Sequence, residues 1–107
     1  MKPIRQGDVL VKPIKKLPKN LKPAEAENGR YVLAHGEATG HHHSFAMSER
    51  VAMFREDGSG GGLFLTVTGA PVALEHQEHA ALAVEPGHYQ VVRQREYSPE
   101  AIRRVED

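Results

Sequence analysis

The residues with chemistry to offer in this chain are its histidines. Three stand in a row, His41-His42-His43, and two more, His76 and His79, follow three positions apart. Neutral imidazole is the commonest protein ligand for transition metals, and near pH 7 it also serves as acid or base. On a strand, positions i and i+2 share a face, so His41 and His43 can turn two nitrogens toward one ion. His42 then points the other way, to solvent or a partner subunit. His76 ends a strand begun at Val72 and faces the side of Leu74, while His79, just past a turn, folds back toward it. Four imidazoles suit Zn, Fe, Mn, Ni or Cu, whereas Mg and Ca prefer oxygen. Glu75, Glu78 and Glu37 are available as oxygen ligands or as acceptors for imidazole N–H groups, and Glu78 is the candidate general base. A metal-free version is also open, with paired histidines sharing acid and base roles and Thr39, Ser44 or Tyr89 orienting a substrate. No Ser-His-Asp or Cys-His spacing supports nucleophilic catalysis. His35 and His88 each stand beside a glycine and read as structural or surface residues.

The rest of the composition narrows what can hold these residues. There is no cysteine, which removes disulfides and thiolate metal sites. Formal net charge is zero, which argues against general nucleic-acid binding, although residues 1–23 are locally basic. Lys2, Arg5, Lys12, Lys15, Lys16, Lys19 and Lys22 there face only Asp8 and read as a solvated lysine-rich segment. At 107 residues the expectation is one domain, 1–107. With aromatics at 6%, its core must be built from Val, Leu, Ile and Ala. The opening MKPIRQGD lacks the apolar run of a signal peptide, and no stretch is long and apolar enough for a membrane helix. The expected location is cytoplasmic.

The elements that must position the histidines read as short strands. Residues 7–14 are β-branched and bounded by Gly and Pro, with Pro13 ending the strand or marking an edge. Residues 15–28 read as a polar loop broken by Pro18 and Pro23. Strands follow at 30–35, 41–47, 50–55 and 63–68. The run Glu56-Asp57-Gly58-Ser59-Gly60-Gly61-Gly62 is a hairpin turn; it precedes no helix and lacks the Lys-Ser/Thr of a phosphate-binding loop. Residues 72–84 fit a helix by composition, but their alternation favours strand–turn–strand, with the turn at Gln77-Glu78. Residues 89–97 form a last strand, and Ser98-Pro99 opens a short C-terminal helix. The sum is an all-β domain, a small antiparallel barrel or sandwich of about eight short strands.

Certain segments also carry resemblances. RQGDVLVKPI (5–14), LAHGEATGHHHSF (33–45), LEHQEHAAL (74–82) and PGHYQVVRQREYSPEAIRRV (86–105) are similar to a group of short, uncharacterised bacterial and phage proteins. That likeness implies no particular activity. His41-x-His43 and Pro86-Gly87-His88 resemble the two metal-binding motifs of cupins, which implies a metal-binding β-barrel. The chain departs from that pattern in having only Glu49 shortly after His43 and in placing Pro86 and Gly87 side by side. GDVLVKPI (7–14) is similar to the start of GroES-like co-chaperonins, without a recognisable mobile loop.

The reading that results is a small β-domain whose His41, His43, His76 and His79 bind a transition metal such as Zn, Fe, Mn or Ni. Metal-dependent hydrolysis or oxygenation of a small molecule is the chemistry such sites serve. The alternative is a non-catalytic binding or assembly module with surface histidines and a protein or RNA partner. Exposed strand edges make a homo-oligomer an expectation of either reading.

Overall fold

The computed structural model of the chain describes residues 2–35, 40–56 and 62–93. Among these it contains ten strands: β1 (Ile4–Gln6), β2 (Val9–Ile14), β3 (Leu21–Pro23), β4 (Arg30–His35), β5 (His42–Ala46), β6 (Val51–Glu56), β7 (Leu63–Val67), β8 (Val72–Leu74), β9 (Leu82–Val84) and β10 (Gly87–Arg93). All pairings are antiparallel. Six strands form one sheet in the order β1-β2-β10-β7-β6-β3; β4-β5 and β8-β9 form two-stranded sheets. The order runs from one edge strand to another, so the expected barrel does not close. None of the described residues is helical, and the expected C-terminal helix lies outside them. Among the described residues no helix is long and apolar enough to cross a membrane.

Alternation decides which face is buried. Val9 and Val11 of β2, Tyr89 and Val91 of β10, Leu63, Leu65 and Val67 of β7, and Val51 and Met53 of β6 all point inward at period two. Register aligns them across strands: Val91 lies between Val11 and Leu63, and Leu65 between Tyr89 and Met53. Such same-face neighbours are the unit of sheet stability. Leu33, Ala34, Phe45, Leu74 and Val84 from the two small sheets complete the same core. Tyr89 satisfies its buried hydroxyl by donating to the Glu85 carbonyl at 2.6 Å.

Several boundaries differ from the sequence reading, each for a local reason. The segment 15–28 is not wholly loop: Leu21–Pro23 pairs with β6 at the sheet's end, where Pro23 is tolerated on an edge strand. Pro13 lies inside β2, past the residues that pair with β1 and opposite Tyr89 of β10. Asn28 and Gly29, both at positive φ, make the two-residue turn into β4, closed by reciprocal backbone bonds between Glu27 and Arg30. β8 and β9 confirm strand–turn–strand for 72–84, yet both strands are shorter than expected. The connection spans 75–81 rather than a tight turn at Gln77-Glu78. The β6–β7 pairing agrees with a hairpin there, while its glycine-rich tip, 57–61, lies outside the described residues.

Candidate metal centre

Two features of the backbone bring the histidines together. The 75–81 connection is clamped to β5 by a reciprocal pair of bonds between Ser44 and Glu75 at 3.0 and 2.9 Å. The β1–β2 hairpin then covers it. Gly7 and Asp8 form that hairpin's two-residue turn, with only Gly7 at positive φ (58°), as in a type II′ turn. A Cβ on Gly7 would stand 2.9 Å from His79 Nε2 and 3.1 Å from His43 Cε1, so the bare glycine is what lets the turn lie against both rings.

His43 is the centre of the group. It is 2% exposed, on the inner face of β5. A bulge in β4 between Val32 and Ala34, where Leu33 is the extra residue, places Ala34 opposite it. The ring of His76 lies 4.3 Å from the His43 ring, centroid to centroid, and that of His79 lies 5.9 Å away in a stacked orientation. His76 also meets His79 at 4.7 Å and His41 at 5.8 Å. All four histidines expected to act together are therefore ring neighbours. Their nitrogens do not yet converge: no group of three His, Asp or Glu side chains among the described residues stands arranged to hold an ion.

Two residues that the sequence reading did not assign to the site, Gln6 and Asp8, define the electronic character of His43. Gln6, 2% exposed at the end of β1, donates from Nε2 to the carbonyls of Leu74 at 2.9 Å and Ala80 at 3.0 Å. Its amide oxygen is thereby fixed toward His43 Nδ1, 2.9 Å away, and that nitrogen must carry the hydrogen. The other nitrogen, Nε2, keeps a bare lone pair. It lies 3.3 Å from Oδ1 of Asp8. Burial works to raise the Asp8 carboxyl, but the hydrogen bond and charge of Arg93, with a backbone hydrogen bond and the neighbouring His43, together hold it below its usual carboxylate range. Arg93 Nη2 reaches Asp8 Oδ2 at 3.0 Å. Burial, then the neighbouring His76, pushes the pKa of His43 down to about 4 despite the attraction of Asp8. Near neutrality the Nε2 lone pair of His43 thus faces an oxygen of the Asp8 carboxylate.

The remaining groups sit at the rim. The pKa of His76 is lowered by burial and then by His79 and His41. Its Nδ1 accepts the Glu78 backbone N–H at 3.0 Å, so its Nε2 bears the hydrogen in this arrangement. His41 Nδ1 is buried and lies 3.3 Å from Glu78 Oε2, but it has no aligned hydrogen-bond partner. The Glu78 carboxylate itself is exposed.

Other expected participants lie elsewhere. Glu75 pairs with Arg30 at 2.6 Å on the opposite side of β5 instead of joining the rings. Ser44 and His42 share that opposite side, and Tyr89 belongs to the core. His88, which the cupin comparison would place at the metal, bonds Thr66 Oγ1 at 2.8 Å on β7. His35 pairs with Glu27 at 3.1 Å at the surface. Glu37 and Thr39 lie outside the described residues. The signal for Gln6 and Asp8 was the Gly7-Asp8 turn dipeptide after a three-residue strand, too short to register as a periodic pattern.

A family model described as Domain of unknown function (DUF8820) matches residues 5–94, a span that includes every residue of this cluster. No curated protein and no solved structure matches the chain.

Proposed function

The chain belongs to the DUF8820 family, and from that premise we propose that its histidine cluster is a transition-metal centre. The observation that carries the reading is the pair of facing acceptors, His43 Nε2 and Asp8 Oδ1, 3.3 Å apart. Two ligand atoms each ~2.1 Å from one ion stand ~3.0–3.4 Å apart at octahedral or tetrahedral angles. The Gln6 contact supports the same reading, since a ligating histidine nearly always gives its other ring N–H to an acceptor that fixes its orientation. His79 and His76 are the adjacent candidates for further ligands, and His76 must release the Glu78 N–H to offer Nδ1. His41, with a buried ring nitrogen lacking a hydrogen-bond partner, is the fourth. Imidazole with one carboxylate suits Zn, Fe, Mn or Ni.

Such a centre on a β-scaffold would serve metal-assisted hydrolysis or oxidation. Glu78, exposed beside His41, would then serve as general base toward a small-molecule substrate. The test is elemental analysis of purified, untagged protein beside the His41→Ala/His43→Ala double variant. Near-stoichiometric metal, lost in the variant, supports the centre. Equal absence of metal in both, with no change in thermal stability on adding Zn, Mn, Fe or Ni, would leave the alternative of a non-catalytic assembly module.

A further inference from the structure

On the other side of β5 from His43 lies a cleft of about 310 Å³ lined by Arg30, His42, Ser44, Glu75, His76 and Gln77. That is the lower end of the small-molecule range, roughly 300–1,000 Å³. Its hydrogen-bond network leaves donors without an acceptor between them. Arg30 Nε donates to Ser44 Oγ at 2.7 Å. The hydroxyl, on a residue 1% exposed, must place its own hydrogen, and His42 Nδ1 stands 2.9 Å away to accept it. His42 Nε2 then carries a hydrogen. Gln77 is oriented by its Oε1, which accepts the His42 backbone N–H at 2.8 Å, so its amide nitrogen faces His42 Nε2 at 3.5 Å. Donor meets donor.

The geometry points to a binding site for the oxyanion group of a small molecule, a carboxylate or a phosphate, held by Arg30, His42 and Gln77. The guanidinium is anchored from its buried side through Ser44, while its present partner, Glu75, is half exposed. Glu75 occupies Arg30 as an internal stand-in, and a ligand oxyanion takes the same fork. Oxygen of that ligand enters between His42 Nε2–H and the Gln77 amide. His76 borders both the cleft and the histidine cluster. The inference does not depend on a metal at His43.

The experiment is a titration of the full-length, chelator-treated protein with inorganic phosphate and, separately, succinate. It follows the NMR signals of the Gln77 side-chain amide, the His42 ring and Arg30 Nε–H. Saturable shifts at these groups are expected with at least one probe, and the tighter probe identifies the oxyanion class. Glu75→Gln, which removes the internal competitor at an exposed position, is expected to tighten binding by about tenfold, and Arg30→Gln to weaken it by at least about tenfold. Arg30→Lys, with charge but no fork, replaces Arg30→Gln if the latter fails to fold, and is expected to weaken binding as well. No saturable shift with either probe, weaker binding in Glu75→Gln, or shifts confined to the lysines of residues 12–22 would overturn the proposal. Because no metal is present, failure here leaves the metal reading standing, and the reverse also holds.

Discussion

His42 and His43 are neighbours in one strand, yet the two sides of β5 give them opposite hydrogen-bonding character. On the inner side, the Gln6 oxygen takes the Nδ1 hydrogen of His43 and leaves Nε2 bare toward a carboxylate. On the outer side, the Ser44 hydroxyl donates to Nδ1 of His42 and leaves the hydrogen on Nε2, toward an amide nitrogen. One side presents acceptors, as the proposed cation site requires; the other presents donors, as the proposed oxyanion site requires. The lesson is that a histidine's role is set by what holds its far nitrogen, and strand alternation lets two adjacent residues be held differently.

The largest expected break in this contrast is His43→Ala. It is expected to reduce affinity for Zn by at least about 100-fold, as loss of a buried ligand should, whereas His42→Ala should change it only a few-fold. Calorimetric titration of the two variants under one buffer condition measures both. Equal losses would dissolve the distinction between the two sides.

Gln6→Leu tests the orienting contact. Three hydrogen bonds disappear, and the carbonyls of Leu74 and Ala80 lose their donor. About 2–4 kcal/mol of stability should go with them, and metal affinity should fall 10–100-fold. Urea unfolding of the metal-free protein separates the first effect from the second.

A smaller effect concerns pH. The folded-state pKa of His43 is about 4 against an ordinary 6.5, so between those values the unfolded chain binds the proton first. Stability of the metal-free protein should therefore be full above about pH 7, decline as pH falls from 6.5 to 4, and lose nothing further through this group below 4. The contribution is up to about 3 kcal/mol. Unfolding curves across pH 4–8 should show this slope in the wild type and a reduced one in His43→Gln. Protonation of Asp8, held below its ordinary 3.8, falls in a lower window.

Gly7→Ala should have the smallest effect on stability, about 1–2 kcal/mol for a residue forced to positive φ. Its added methyl meets His79 and His43 directly. A metal affinity reduced beyond what the stability loss explains would place the turn at the centre; an unchanged affinity would remove it from the site.

How much of this was legible in the chain depends on the range of the interaction. Strands β4 to β7 follow from alternation and Gly-rich boundaries, because period-two burial is written locally. The expected strand 41–47 begins one residue later, at His42, so His41 precedes β5 and meets the group through His76 rather than as the strand neighbour of His43. The short strands β1 and β3 were not legible, since three residues give no period to read. Gln6 and Asp8 escaped notice because their importance comes from contacts at sequence separations of 37 and 68 residues for Gln6 and 85 for Asp8. The misplacement of Glu75 has a simple cause: Ser44 and Glu75 pair through their backbones, which turns the Glu75 side chain to the outer side, against Arg30.

The most direct test of the central claim is the set of long-range ¹H–¹⁵N NMR spectra of the histidine rings before and after one equivalent of Zn. The account predicts that His43 begins with its hydrogen on Nδ1 and His42 with its hydrogen on Nε2. On adding Zn, the His43 Nε2 resonance moves while Nδ1 stays protonated, and the His42 tautomer is retained. Zinc that shifts only the exposed rings and leaves His43 Nε2 in place, or a His43 that carries its hydrogen on Nε2 from the start, would contradict it.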